Sequence, residues 1–500
     1  MKYLIGIDVG TSGTKSALFD LDGNMVAEAT EGYPLYQPEN VWAEQDPEDW
    51  WNAVCKTLAE ITQAVPSHEI AAVGLSGQMH GLVMLGEQGS VLGRSIIWCD
   101  GRTGEECREI EATVGRRRLI EITANPAITG FTAESLLWVR RHDGERYRRC
   151  RHILLPKDYI RYRLTGSIAS EMSDASGTQL FDTVNRRWSR EVCNALGVDM
   201  ELLPRVYESV ERTGEVSAEA ARQTGLPFGI PVAGGGADNA AAALGSGVYE
   251  SGSAFVTIGT SGVLCAHTDR PVVHREGGVH TFCSAVPYGW HAMGSTQASG
   301  LSLSWFRKNF ASALSYAEID ARCSSVPIGA DRLLYFPALM GELTPVFDPN
   351  ARGAFVGLSA KHTSAELARA VMEGVAYSVY NDFCAFRESG VRIESAVMCG
   401  GGANSALWRQ IFADLLAVPI RRMRSSECAV LGAAILAGCA SELYPSVAEG
   451  CRRVVRFGDT VEPDAAAHTE YLRMYGVFAG LHGALRETFA DLHAISEKGN

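Results

Sequence analysis

Two short apolar, β-branched runs in the chain end in the same turn. Ile5-Gly-Ile-Asp-Val9 leads into Gly-Thr-Ser-Gly at 10–13, and Phe255-Val-Thr-Ile258 leads into Gly-Thr-Ser-Gly at 259–262. Apolar residues resume after each turn, which predicts a strand, a tight turn and a returning strand: Leu4–Val9 with Thr14–Asp20, and a second pair over 254–265. Further strands are expected over Ile70–Ser76 and 394–399. Helical spacing marks 47–65, 102–117, 133–141 and 157–164, with Asp46 as N-cap and Pro47 as the first residue of the first of these. An Ala-rich helix is expected to start at Asn239–Leu244, after the apolar, glycine-rich stretch 227–236. Helices follow over 364–389, 404–416 and 428–440, and the pattern from Pro463 to Asn500 is helical.

The repeated turn implies a duplicated domain. Glycine supplies the positive φ such a turn needs, and its unobstructed N–H groups can approach an anion. The 500 residues exceed one comfortable core. The expected architecture is α/β with two domains, 1–245 and 246–500, and a cleft between them; the second domain ends in helices over 463–500. The copies differ in one telling way, Asp8 in the first standing where the second has Thr257, so only the first loop brings a carboxylate able to hold a metal.

Charge narrows the partners. The net charge of −13 and the lack of a long basic tract argue against nucleic-acid and membrane binding. An anionic nucleotide would need local donors and a cation. The 13 cysteines include no Cys-x-x-Cys pair, and Asp8 stands where an export signal needs apolar residues, so a cytoplasmic location is expected. The apolar stretch 428–440 reads as a buried helix.

A third glycine-rich turn, Gly400-Gly401-Gly402, precedes the helix from Asn404. The sequence has neither G-x-x-x-x-G-K-[ST] nor G-x-G-x-x-G, so any phosphates must sit on the hairpin turns. Thr11, Ser12 and Thr14 offer hydroxyls there; Lys15 is either a phosphate contact or an outward-facing strand lysine.

Asp8-Val-Gly-Thr-Ser-Gly-Thr14, Ile258-Gly-Thr-Ser-Gly262 and Gly400-Gly-Gly-Ala-Asn404 resemble the two phosphate motifs and the adenosine motif of the actin-like (ribonuclease H-like) ATPase superfamily. Within it, Trp42–Trp51, Trp98–Arg102, Gly234-Gly-Gly-Ala-Asp-Asn239 and Met372–Ala376 resemble the FGGY carbohydrate kinases. Gly77-Gln-Met-His-Gly81, Leu155-Pro-Lys-Asp-Tyr159 and Met172-Ser-Asp-Ala-Ser-Gly177 are similar to the members that phosphorylate xylulose. The resemblance implies ATP as donor, Mg²⁺ near Asp8, D-xylulose as acceptor and Asp238 as the base that takes the attacking hydroxyl's proton. It also implies Gly259, Thr260 and Ser261 at the β- and γ-phosphates and Gly401, Gly402 and Asn404 at the adenosine. Met79, His80, Asn239 and Trp98 would contact the sugar, with Asp100 and Arg102 walling the pocket. Members often dimerise, so a homodimer is included. The family's glycines run straight into the aspartate, whereas Ala237 intervenes here.

Simpler roles compete: Asp238-Asn239 as a helix N-cap, His80 as a satisfied core residue, Trp98 as core. A kinase for ribulose, fuculose, gluconate or glycerol is the alternative, although the Arg-Glu pair of glycerol kinases is absent at Gln78-Met79-His80. An actin-like ATP-binding protein without a sugar substrate is the third reading.

Overall fold

The computed structural model describes residues 1–497. Its first sheet uses β1 (Tyr3–Val9), β2 (Gly13–Asp20), β3 (Met25–Gly32), β4 (Ile70–Gly77), β5 (Arg212–Glu215), β6 (Pro231–Ala233) and β7 (Gly236–Ala237). The spatial order is β5-β6-β4-β1-β2-β3, with β7 also paired to β4. The second sheet uses β8 (Gly252–Ile258), β9 (Gly262–Thr268), β10 (His280–Cys283), β11 (Trp290–Thr296), β12 (Ile393–Cys399), β13 (Ile420–Met423) and β14 (Phe457–Val461). Its order is β10-β11-β9-β8-β12-β13-β14. Duplication is visible in these orders. In each sheet a glycine hairpin (β1–β2, β8–β9) has a third antiparallel strand on one side and a parallel neighbour on the other. Residue for residue, Asp8 faces Ser76 and Thr257 faces Cys399.

Helices α1 (Pro47–Ile61), α2 (Pro156–Thr165), α3 (Asp238–Gly245), α4 (Gly300–Phe310), α5 (Ser364–Glu388), α6 (Ala406–Leu416), α7 (Cys428–Ala440), α8 (Ala465–Phe478) and α9 (Leu481–Glu497) complete what positions the site. Asp46 caps α1 by accepting from the Glu48 amide, and Pro47 fills its first turn. Trp50, Trp51, Val54 and Leu58 of α1 bury the outer face of the first sheet against Ile5, Ile7 and Val73. On the second sheet α5 and α6 play that part, with Val375 and Phe412 against Val256 and Leu264.

The layer between the sheets is made by α3 and α7, whose apolar residues join Leu4 and Ala72 of one sheet to Phe255 and Val397 of the other. Four glycines permit this closeness. A Cβ on Gly432 would overlap the Ala241 carbonyl, and one on Gly245 the Cys428 carbonyl, so α3 and α7 touch backbone to backbone. Added Cβ atoms on Gly6 and Gly74 would strike the carbonyls of Val430 and Ala433, so α7 also lies directly on the first sheet. A backbone carbonyl cannot rotate away. Gly432→Val is therefore expected to lower stability by about 2 kcal/mol or more, read as a fall in melting temperature.

Two expectations need correction. The helix predicted over 102–117 is two helices, Gly104–Ile110 and Arg116–Thr123, joined by a π-helical turn over 111–115. Gly115 at φ 86° breaks the regular helix, and Arg102 is drawn out of it by its bonds to Asp100. The C-terminal helical pattern is interrupted between Phe478 and Leu481, and residues 498–500 of that expectation lie outside the described residues.

Candidate functional site

Strand register brings two aspartates together. Asp8 on β1 lies opposite Ser76 on β4, and Ser76 lies opposite Gly236 on β7. Two residues after Gly236 the chain enters α3, which sets Asp238 close enough to Asp8 for their charges to interact. Ser76 Oγ donates to Asp8 Oδ1 at 2.7 Å. Burial, then the Asp8 charge, pushes the Asp238 carboxyl up to about 7 against the lowering effect of hydrogen bonds from Asn239. Asp8 is also raised, first by burial and further by Glu427, with Ser76 and Lys15 opposing. Two neighbouring carboxylates both held high form a site of surplus negative charge with hard oxygen donors, which fits Mg²⁺. Among the described residues no group of three or more His, Cys, Asp or Glu has metal-holding geometry, so such an ion would draw its other ligands from water and phosphate oxygens.

Asp238 is not the N-cap. That position is Ala237, which makes no side-chain cap, and Asp238 is the first residue of α3. Its Oδ1 accepts from the Asn239 amide at 2.6 Å and from Asn239 Nδ2 at 2.9 Å. Oδ2 has no hydrogen-bond partner among the described residues. Ala237 is fully buried on β7, which accounts for a small residue there.

The two hairpin turns are held from behind. In the first, Tyr33 donates to the Gly10 carbonyl, and Gln45 Nε2 donates to the Thr11 carbonyl at 2.7 Å. In the second, the Gly300 amide donates to the Gly259 carbonyl at 2.7 Å, and those of Ser299 and Leu301 to the Thr260 carbonyl at 3.0 and 3.1 Å. Ser12, Thr260 and Ser261 are exposed at the tips. The triple-glycine turn abuts the second hairpin: Gly400 at φ 78° passes over the Ile258 carbonyl, and a Cβ on Gly402 would overlap the Ile258 side chain. Gly401 and Asn404 are exposed there. The structure thus joins the predicted adenosine and second phosphate segments.

Several predicted residues are engaged elsewhere. Thr11 Oγ accepts from Trp98 Nε1 at 2.9 Å and donates to Gln78 Oε1 at 3.3 Å, so its hydroxyl serves the wall between the hairpin and the His80 loop. Thr14 is fully buried in β2 and presents no surface to a ligand. Lys15 Nζ pairs with Glu427 at 2.7 Å and Glu28 at 3.6 Å. Asp100 and Arg102 form a buried ion pair, with Arg102 stacked over Trp42, and wall the site as scaffold. Trp98 is 46% exposed and is not core.

His80 and Met79 leave β4 on a left-handed turn, His80 at φ 70°. His80 Nδ1 faces the Gly177 carbonyl at 2.7 Å; a carbonyl only accepts, so Nδ1 carries the hydrogen and Nε2 is left as an acceptor. Burial depresses this imidazole to about 3, so it is neutral. The ring stacks on Phe131 with centroids 3.7 Å apart. The sequence shows no sign of β10, which brings second-half residues to this wall: Phe282 lies 5.8 Å from the His80 ring, and His280 Nδ1 meets Asn125 Oδ1 at 2.9 Å. Nor does it show the buried ionic cluster beneath Asp238, in which Lys157 contacts Asp158 at 2.7 Å and Asp174 at 3.2 Å.

Residues 3–245 match the N-terminal domain of the FGGY family of carbohydrate kinases, and residues 254–441 match its C-terminal domain. A xylulose kinase of Bacillus subtilis is 36% identical over 484 residues, covering 96% of this chain and 97% of its own. The crystal structure of a xyloylose kinase from Brucella ovis superposes with a TM-score of 0.91 at 35% identity, covering 97% of this chain and 100% of its own. A gluconate kinase from Lactobacillus acidophilus reaches a TM-score of 0.93 at 26% identity, covering 98% and 99%. The fold is that of two actin-like domains, and the chain belongs to the FGGY family of carbohydrate kinases.

Proposed function

We propose that this kinase transfers the γ-phosphate of ATP to D-xylulose, giving D-xylulose 5-phosphate and ADP. The observation that carries this reading is Asp238, held beside Asp8 with one carboxylate oxygen unengaged, on the same wall as His80 and Asn239. The sugar rests on the 1–245 half, the adenosine against Gly401, Gly402 and Asn404 of the 246–500 half, and the phosphates between the hairpins. Asp238 Oδ2 accepts the hydroxyl proton as the oxygen attacks phosphorus; in a loose transition state the base chiefly orients the hydroxyl and takes its proton late. His80 Nε2 accepts from a second sugar hydroxyl and fixes the ring-side orientation. Mg²⁺, held near Asp8, would neutralise charge on the transferring phosphate. Closure of the halves excludes water as a competing acceptor.

Charge favours a neutral ketose over an aldonate. This wall presents two carboxylates and a neutral imidazole, while the cations beside it, Lys15 and Arg102, are already paired with carboxylates. A cytoplasmic, homodimeric enzyme belongs to the same reading; all thirteen cysteines are free thiols, as suits a reducing compartment. ADP release over a panel of D-xylulose, D-ribulose, L-fuculose, gluconate and glycerol tests the assignment. D-xylulose is expected to give a kcat/KM at least about tenfold above every other member, a difference of about 1.4 kcal/mol in transition-state binding. Equal rates on ribulose or gluconate would contradict it.

A further inference from the structure

We propose that Ser173 is the positioning residue for Asp238, and that the turn 171–177 carrying it sets the catalytic loop and the sugar wall from one piece of backbone. This rests on the reading of Asp238 as the base. Ser173 is fully buried. Its hydroxyl donates to Glu171 Oε1 at 2.7 Å, which commits its one hydrogen, and it accepts from the Ala237 amide at 2.9 Å. The direction is fixed because a carboxylate only accepts and an amide only donates. Glu171 is in turn held by Ser209 Oγ at 2.8 Å and by the Ser173 and Asp174 amides at 2.8 and 2.9 Å, with Lys157 at 3.5 Å.

The residue so gripped is the last before Asp238. The loop's other end is gripped by the same cluster: Arg161 Nη1 donates to the Gly234 carbonyl at 2.6 Å, and Lys157 Nζ lies 3.5 Å from it. The loop has little freedom between these points, because added Cβ atoms on Gly234 and Gly235 would strike the Glu208 and Leu75 carbonyls. The same short turn also sends the Gly177 carbonyl to His80 Nδ1 at 2.7 Å and Ser176 Oγ to the Cys283 amide of the second half at 2.9 Å. Base, sugar-side imidazole and the strand reaching in from the other half thus share one support. Fully buried, Ser173 presents no surface to a substrate or phosphate. Its effect passes through the Ala237 amide to the direction of the Asp238 carboxylate.

Ser173→Ala removes the acceptor and leaves the buried Ala237 amide unpaired. A misplaced base loses turnover more than binding, and a shift of about 1 Å can cost on the order of 10²-fold. The test measures kcat, KM for D-xylulose and melting temperature for Ser173→Ala, Ser173→Thr and Asp238→Asn side by side. The expected result is a kcat lowered about 10- to 100-fold in Ser173→Ala with KM within about threefold. Ser173→Thr, which keeps the hydroxyl, is expected to recover most of that loss. A Ser173→Ala kcat within twofold of wild type, or kcat and KM changing in step with a large fall in melting temperature, would overturn the proposal. If Ser173→Thr does not fold, the kcat-against-KM split of Ser173→Ala decides. Loss in Asp238→Asn alone sinks the positioning role and spares the base; near-normal turnover in Asp238→Asn removes both.

Discussion

An Asp238→Asn protein is expected to lose about 10³-fold in kcat while its KM for D-xylulose stays within a few-fold. The amide is nearly isosteric, so the sugar still finds His80 and Asn239, but no group remains to take the hydroxyl proton. The same substitution is expected to raise the melting temperature. Asp238 is held at about 7 in the fold against an ordinary value of 3.8. Between those values the folded protein binds more protons than the unfolded chain, so this carboxyl's contribution to stability is fully present at low pH and is lost as pH rises through about 7. Asp238→Asn should therefore gain over wild type as pH is raised from 5 to 8, by about 2 °C at the upper end. Thermal melts of the two unliganded proteins across that range check the sign. A wild type that outlasts the variant at pH 8 would show that the paired aspartates carry no strain.

Asp8→Asn is the second large effect. The side chain stays short and polar and can keep its contact with Ser76, but the charge facing Asp238 disappears. Turnover is expected to fall about 10²-fold, with more Mg²⁺ needed for half-maximal rate. Removing the like charge also lowers the Asp238 carboxyl toward the ordinary range, so the stability gained by Asp238→Asn should shrink when measured in the Asp8→Asn background. A double-mutant melt reads that coupling. Simple additivity would mean that the two carboxylates do not sense each other, contrary to the register that places Asp8, Ser76 and Gly236 side by side.

Local signals and distant ones separate cleanly in this chain. The hairpins, α1 with Asp46 and Pro47, the buried α7 and the Ala-rich start of α3 were legible because each is specified by residues within a few positions of one another. Asp238 stood out in the sequence through the glycines that precede it, but its place beside Asp8 did not. Nor did the mechanism that holds it there. Lys157, Arg161 and Ser173 reach the 234–238 loop across more than sixty residues of sequence, and a lysine beside an aspartate at 157–158 looks like solvated surface until folding buries it. His80 shows the same limit. The sequence allows its imidazole to donate and accept, and only the Gly177 carbonyl, 97 residues away, reduces it to an acceptor. Thr11 illustrates the converse: a hydroxyl in a phosphate-like turn whose bonds run to Trp98 and Gln78. The interruption of the 102–117 helix follows from Gly115, a local signal outweighed by the apolar spacing around it.

If ATP turnover in this enzyme serves a sugar, ADP formation from MgATP depends on D-xylulose; the measurement is ADP release with and without D-xylulose, alongside the yield of phosphorylated sugar. The expected result is slow turnover without sugar, a rise of about 10²-fold or more on adding D-xylulose, and one D-xylulose 5-phosphate for each ADP. Turnover indifferent to D-xylulose and to every other sugar would contradict it, leaving an actin-like ATPase whose Asp238 has no hydroxyl to deprotonate.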